Sequence, residues 1–137
     1  MSEDAITEAA LAQGRTFVWH EVYGPNTQGL VDFYTQALDF GVSTMPMGEM
    51  GDYTMLVANG RPVAGVVSTG NPPNSDHPAG YWFTYIGVAN CDEKVAKCLS
   101  LGAKLLSGPL DVPTVGRMAL IQDPQGANFW LFEPAMS

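Results

Sequence analysis

The chain has 137 residues, 46% of them hydrophobic, which is enough for one well-buried domain or for two small motifs that share a core. Fourteen acidic residues against six basic ones give a net charge of −8 at pH 7, which disfavours binding to nucleic acid or to anionic lipid. No apolar run reaches the roughly eighteen residues of a membrane span, and the acidic N-terminus does not resemble a signal peptide, so we expect a cytoplasmic protein.

The N-terminal part of the chain predicts a short segment followed by a strand. Residues 1–14 are expected to form either a short helix or a frayed tail. Residues 15–23 are rich in aromatic and β-branched side chains and predict a strand, with Trp19, Glu21 and Tyr23 on one face. The alternation turns His20 to the other face, toward a helix, and we interpret it as a partly buried structural histidine.

A helix and a hairpin are predicted next. Residues with helical spacing form the predicted buried face of the helix: Leu30, Phe33, Tyr34, Ala37 and Leu38. Residues 42–50 predict a short strand and a loop. Residues 53–57 and 63–67 then flank Asn59-Gly60, which is among the strongest hairpin signals in a sequence.

The second half repeats this order after a turn-rich linker at residues 68–80. A strand is predicted at residues 81–88, then a helix that Asn90 caps and Gly102 ends, then a short strand at 104–106. Strands at 118–121 and 127–132 flank a predicted type I turn at residues 123–126. The two halves share a β-α-β-β-β pattern at an offset of roughly 61 to 66 residues.

The duplicated pattern and its motifs resemble the vicinal oxygen chelate superfamily, which includes glyoxalase I, extradiol dioxygenases and bleomycin- and fosfomycin-resistance proteins. The matching segments are WHEV, FYTQALDFG and DPQGANFWLFEP. The resemblance implies an α+β fold in which tandem β-α-β-β-β modules form a curved mixed sheet around a cleft, usually in a homodimer. Residues 15–137 would be one domain, with module one at 15–67, the linker at 68–80 and module two at 81–134.

Many members of this superfamily bind a divalent metal through side chains of the first and last strands of each module. The corresponding positions here are Trp19, Phe83 or Trp82, Trp130, and Ala64 or Gly65. Indole, phenyl and methyl groups offer no lone pair to such a cation. We therefore expect no metal and no other cofactor.

The resemblance also suggests which side chains face the cleft. Glu21 is the candidate catalytic residue, because a carboxylate in an aromatic pocket would have a raised pKa and could act as a general base. The alternative is a hydrogen-bonded structural carboxylate. The candidate ligand-binding residues are Trp19, Tyr53, Met55, Phe83, Tyr85, Arg117, Asn128 and Trp130. The aromatic residues could instead be core packing, and Arg117 a solvated surface residue.

From these features we expect a protein that binds a small, largely apolar or aromatic molecule in a metal-free cleft, as the resistance proteins do. The alternative is a metal-independent enzyme of lyase or isomerase type with Glu21 as its base. A metal-dependent lyase or dioxygenase that uses His20 and Glu21 as ligands is the least favoured interpretation.

Overall fold

A computed structural model describes residues 16–69 and 80–135 and divides the chain into two compact units. The first unit is Trp19–Phe83, and the second contains residues 84–135 together with 16–18. The segment predicted for residues 1–14 and most of the predicted linker lie outside the described residues. No helix in the described ranges is long and apolar enough to cross a membrane.

The first unit contains one helix and four strands, with most of β1 belonging to it. The elements are β1 (Thr16–Gly24), α1 (Thr27–Leu38), β2 (Gly41–Pro46), a short 3-10 turn (Gly48–Met50), β3 (Asp52–Ala58) and β4 (Arg61–Ser68). The strand order is β2-β3-β4-β1. Strands β1 and β4 are parallel, while the β2–β3 and β3–β4 pairs are antiparallel, so the sheet is mixed.

Helix α1 begins where the sequence predicts but is less buried than predicted. The side chain of Asn26 accepts a hydrogen bond from the Gly29 amide at 2.9 Å and caps the helix. Leu30 and Tyr34 pack against the core, as predicted. The prediction was wrong for Phe33, Ala37 and Leu38, which are exposed. The helix rests on the sheet along a narrower stripe than its apolar residues span.

Alternation along the strands of the first unit separates its two faces. Val22, Leu56, Ala64 and Val66 form the buried core beneath α1. The neighbouring residues in each strand, including Glu21, Tyr53, Met55 and Gly65, therefore point to the face away from α1. Both residues of the predicted Asn59-Gly60 turn have positive φ, of 53° and 78°, which confirms the hairpin.

The second unit repeats the same arrangement. Its elements are β5 (Tyr81–Gly87), to which it contributes from Thr84 onward, α2 (Cys91–Ser100), β6 (Lys104–Val112), β7 (Gly116–Gln122) and β8 (Asn128–Pro134). The strand order β5-β8-β7-β6 corresponds, element by element, to β1-β4-β3-β2 of the first unit. Strands β5 and β8 are parallel, as β1 and β4 are. The α+β class and the tandem β-α-β-β-β modules are thus confirmed.

Local signals in the second half are also confirmed, with one exception. Asn90 caps α2 by accepting from the Glu93 amide at 3.0 Å, and the predicted turn closes with a 3.0 Å bond from the Gly126 amide to the Asp123 carbonyl. Strand β6 extends to residue 112, well beyond the predicted 104–106. Its ladder with β7 is irregular on either side of Ser107, which lets a strand continue through glycine and proline that would ordinarily interrupt it.

Candidate functional site

A buried carboxylate lies on the face of the first unit's sheet that points away from α1. Glu21 is only 7% exposed, the one charged side chain that is buried among the residues described. It lies in the middle of β1, where alternation turns it away from the apolar core. Burial of a carboxylate is costly unless hydrogen bonds compensate for the lost water.

Two tyrosine hydroxyls supply such hydrogen bonds. Tyr53 donates to Oε2 of Glu21 at 2.5 Å, and Tyr23 donates to Oε1 at 3.2 Å. The indole Nε1 of Trp19 in turn donates to the Tyr53 hydroxyl oxygen at 2.8 Å. The result is a directed chain of hydrogen bonds from Trp19 through Tyr53 to Glu21, which we call the Trp19–Tyr53–Glu21 relay.

A glycine makes the central contact of this relay possible. Glu21 on β1 and Met55 on β3 both register with Gly65, which lies between them on β4. The ring of Tyr53 crosses over Gly65 to reach Glu21. A Cβ at position 65 would be 1.7 Å from the Tyr53 hydroxyl oxygen and 2.4 Å from its ring carbon Cζ. Only glycine leaves room for this crossing.

The surroundings of Tyr53 keep its hydroxyl protonated. Burial raises the pKa of the Tyr53 phenol far above its ordinary value, and the negative charge of Glu21 and the hydrogen bond to it raise it further. The hydrogen bond from Trp19 lowers the pKa but does not reverse the shift. Tyr53 therefore remains a hydrogen-bond donor to Glu21 throughout the physiological pH range.

The remaining predicted site residues of the first unit border this cluster. Met55 is 9% exposed and lies beside Gly65 on the same face. Phe83 is 3% exposed and packs edge-on against the ring of Tyr23, with the ring centroids 4.8 Å apart. Trp19 and Tyr53 are only partly buried, so they are the members of the cluster that a solute can reach.

The predicted aromatic residues of the second unit pack against one another. The rings of Tyr85 and Trp130 stack with centroids 5.6 Å apart and planes within 6°. Both are buried, at 6% and 3% exposure. Asn128 lies on the same side of β8 as Trp130, and its Oδ1 is buried with no hydrogen-bond partner among the residues described.

The structure places Arg117 on the helix side of the second unit. It lies in β7 on the same side as Ala119 and Ile121, which pack with α2. Its guanidinium forms ion pairs with Asp92 at 3.0 Å and Asp111 at 3.1 Å. Arg117 also lines a shallow concavity of about 200 Å³ with Asp111 and Glu133, away from the stacked aromatic pair. The structure does not bring Arg117 together with Trp130 and Tyr85.

The donor set at the metal positions does not fit a divalent cation. Trp19 uses its nitrogen as a donor, Gly65 has no side chain, and Glu21 supplies one carboxylate that two phenols already engage. The described ranges contain no group of three His, Cys, Asp or Glu residues that could hold a metal. His20 is exposed rather than partly buried, which corrects the sequence interpretation.

Sequence reasoning did not single out Tyr23 or Gly65 as members of this cluster. The sequence pattern places Tyr23 on the correct face, two residues from Glu21, but does not indicate a partner for its hydroxyl. It marks Gly65 only as a position that corresponds to a metal ligand in relatives. A glycine inside a strand otherwise rich in β-branched residues is a signal for close approach of another group, which in this structure is the Tyr53 side chain.

The two β-α-β-β-β units make this an α+β protein with an internal duplication. The first unit carries a buried carboxylate on one face of its sheet. A family model described as the Glyoxalase/Bleomycin resistance protein/Dioxygenase superfamily matches residues 16–131. The chain therefore belongs to this superfamily, and the family resemblance seen in the sequence is confirmed.

Two similar proteins are longer than this chain, and the chain matches only part of each. It is 30% identical over 120 residues to "Putative glyoxylase CFP32" of Mycobacterium tuberculosis, covering 88% of this chain and 44% of the relative. It is 29% identical over 122 residues to "Anthracycline biosynthesis protein DnrV" of Streptomyces peucetius, covering 81% of this chain and 44% of that protein. The chain thus spans less than half the length of these relatives.

Solved structures share the fold at low sequence identity. Methylmalonyl-CoA epimerase from Mycobacterium tuberculosis matches with a TM-score of 0.61 and 14% identity, over 91% of each chain. The Streptomyces coelicolor methylmalonyl-CoA epimerase in complex with 2-nitronate-propionyl-CoA matches with a TM-score of 0.60 and 17% identity, over 88% of this chain and 97% of that chain. At this identity the likeness concerns the fold alone.

Proposed function

We propose that this chain binds a small, largely apolar or aromatic molecule, without a metal, on the face of the first unit's sheet that points away from α1. The observation that carries the proposal is the buried Glu21 carboxylate, held by two phenols beside partly exposed aromatic rings. Small-molecule sites are mostly apolar and contain a few fixed polar groups that orient the ligand. The Trp19–Tyr53–Glu21 relay provides such a fixed polar group.

The aromatic residues on this face favour a ligand with a flat apolar part. The indole of Trp19 and the phenol of Tyr53 offer ring surfaces for stacking, and Met55 offers a soft, adaptable contact. Phe83 remains a proposed ligand contact of the first unit. Tyr85, Asn128 and Trp130 belong to the second unit and remain proposed ligand contacts there. Because Phe83, Tyr85 and Trp130 are buried, a ligand would reach them only after side chains rearrange.

A thermal-shift screen of aromatic and heteroaromatic compounds tests this proposal. A ligand at one hundred times its Kd should stabilise the folded chain by about 2.7 kcal/mol. Trp19→Ala should abolish most of that shift. Phe33→Ala is the matched control, since Phe33 is 59% exposed and belongs to helix α1. The proposal fails if no compound raises the melting temperature, or if the two variants lose the shift equally.

A second candidate function is proton transfer by Glu21 on a bound metabolite. It is favoured by the 2.5 Å hydrogen bond from Tyr53, which holds the carboxylate in one orientation. Methylmalonyl-CoA epimerases share this fold, so an acyl-CoA thioester with an exchangeable α-proton is a suitable first probe. Incorporation of solvent deuterium into methylmalonyl-CoA, followed by mass spectrometry, would show turnover.

The variant Glu21→Gln separates the two functions. In an enzyme it should abolish deuterium incorporation while the probe still binds. A sequestering protein shows no incorporation with either residue at position 21. Incorporation that persists at the wild-type rate in Glu21→Gln would exclude Glu21 as the base.

We further propose that the chain acts as a homodimer. The named relatives have room for a second segment of this size within one polypeptide, because this chain covers 44% of their length. Sedimentation equilibrium on the purified chain tests the point directly. A mass of 14.7 kDa at all concentrations would indicate a monomer and contradict it.

A further inference from the structure

Helix α1 of the first unit presents aromatic and acidic side chains on its exposed surface. Phe33 is exposed, and its ring meets the ring of Tyr34 edge-on with the centroids 5.1 Å apart. Trp82, in the part of β5 that belongs to the first unit, is also exposed and donates a hydrogen bond from its indole nitrogen to the Tyr34 hydroxyl oxygen at 3.0 Å. Asp32 is exposed next to Phe33 in the helix, and α1 contains no basic residue. We call these four residues the α1 patch.

Helix α2, the corresponding helix of the second unit, presents the opposite charge. Lys94, Lys97 and Leu101 have the i, i+3, i+7 spacing of one helical stripe, and all three are exposed. The two lysines, together with Glu93 and Ala96, line a shallow depression of about 470 Å³. Two ammonium groups against one carboxylate make this depression positively charged. We call the surface formed by Lys94, Ala96, Lys97 and Leu101 the α2 patch.

The charges of both patches lack ion-pair partners within the part of the chain that the structure describes. The ion pairs formed there join Arg117 to Asp92 and to Asp111. Asp32 accepts a hydrogen bond from the neutral amide of Gln28 at 2.8 Å, which leaves its charge uncompensated. Each patch can therefore pair with another molecule without breaking an ion pair of its own.

Charge decides which of these surfaces can meet when two copies of the chain associate. Two α1 patches would bring like carboxylates together, and two α2 patches would bring four lysines together, so both pairings are repulsive. The α1 patch of one copy against the α2 patch of another places Asp32 near ammonium groups. It also places the rings of Phe33 and Trp82 near the lysines, where cation–π interactions are favourable. Only this unlike pairing is attractive.

We propose that two copies of this chain associate by docking the α1 patch of each copy onto the α2 patch of the other. The inference rests on the proposed homodimer and specifies its interface. A two-fold arrangement forms the contact twice, because each copy carries both patches. Phe33→Ala stays usable as the control for ligand binding, because the ligand shift of each variant is measured against its own ligand-free melting temperature.

Asp32→Lys tests the charge pairing, with the dissociation constant of the dimer measured by sedimentation equilibrium on the full chain. It should raise that constant about tenfold or more, because it places a third ammonium group against the two lysines of the α2 patch. Glu49→Lys is the matched control, since Glu49 is exposed in the 3-10 turn and the substitution raises the net charge by the same amount. A smaller net negative charge favours association in general, so only a local contact explains weakening by Asp32→Lys.

A charge exchange tests whether the two patches meet. Lys97→Glu should weaken the dimer as Asp32→Lys does, and the two substitutions together should restore most of the wild-type affinity. Single variants that associate as tightly as the wild type would overturn the inference. So would a double variant that associates no better than either single one, or a Glu49→Lys control that weakens the dimer equally.

Salt provides a further test that needs no substitution. Salt screens the repulsion between two copies of net charge −8, so without complementary patches the dimer should tighten as ionic strength rises. The proposed interface predicts the reverse, a dissociation constant that rises about threefold or more between about 0.05 M and about 0.5 M salt. A dimer that tightens with salt would overturn the inference and leave the homodimer intact. A monomer at every concentration would overturn both.

Discussion

The substitution Gly65→Ala tests the packing on which the candidate site depends. The added methyl group would lie 1.7 Å from the Tyr53 hydroxyl oxygen, far inside contact distance. Gly65 has no positive φ, so alanine suits its backbone and the effect reports on side-chain space alone. The Tyr53 ring must leave Glu21 to relieve the overlap.

The magnitude follows from the contacts that are lost. The charge-assisted bond from Tyr53 to Glu21 contributes about 1.5–3 kcal/mol, and the bond from Trp19 about 0.5–1.5 kcal/mol. Replacing glycine by alanine restricts the unfolded chain and returns about 0.4–1 kcal/mol. The free energy of unfolding should therefore fall by about 1–4 kcal/mol.

Gly41→Ala is the matched control for this experiment. Gly41 also lies in a strand of the first unit, and a Cβ there would meet the Val57 Cβ at an ordinary 3.6 Å. It should leave stability unchanged or raise it by up to about 1 kcal/mol. Urea unfolding measures all variants, and in a Tyr53→Ala background the cost of Gly65→Ala should vanish. A Gly65→Ala stability within about 0.5 kcal/mol of the Gly41→Ala value would refute the argument.

Three further predictions follow from single contacts. Because the pKa of Tyr53 is raised in the folded state, its contribution to stability is complete below about pH 10 and is lost as the pH rises above it, by about 1.4 kcal/mol per pH unit. Urea unfolding at alkaline pH should show that the free energy of unfolding of Tyr53→Phe falls less steeply with pH than that of the wild type. An equal pH dependence in the two proteins would contradict this prediction. Arg117→Ala should lower stability only slightly, and less still at high salt, since its acidic partners are exposed. A large loss of stability that salt does not reduce would be the contrary result. Asn90→Ala should destabilise the chain by about 1 kcal/mol through loss of the α2 cap. Asn90→Ser should retain most of the wild-type stability, because serine can also cap a helix. Equal losses of stability in the two variants would show that the cap bond is unimportant.

Much of the fold was predictable because its signals are local. The caps at Asn26 and Asn90 and the turns at residues 59–60 and 123–126 involve groups within four residues of one another. Such contacts depend on side-chain chemistry and backbone preference, which are already present in a short segment. The repetition of these signals in the same order allowed the duplicated module to be recognised.

The predictions of burial on α1 and of the length of β6 were wrong because both depend on contacts with a neighbouring element. Apolar spacing marked Phe33 and Leu38 as buried, yet both remain exposed on α1. The strand predicted at residues 104–106 stops before Gly108 and Pro109, but pairing with β7 carries β6 past them. In each case a tertiary contact, or its absence, overrides the local preference of the segment.

By itself, the sequence determined the modules, the face on which Glu21 lies, and the absence of suitable metal donors at the positions matched to metal-binding relatives. Only the tertiary structure decided what Glu21 contacts. Tyr53 is 32 residues away in the chain, and it reaches the carboxylate because β4 lies between their strands and carries no side chain at Gly65. A hydrogen bond across three strands depends on strand order and register, which long-range pairing sets and which no segment of the chain encodes alone.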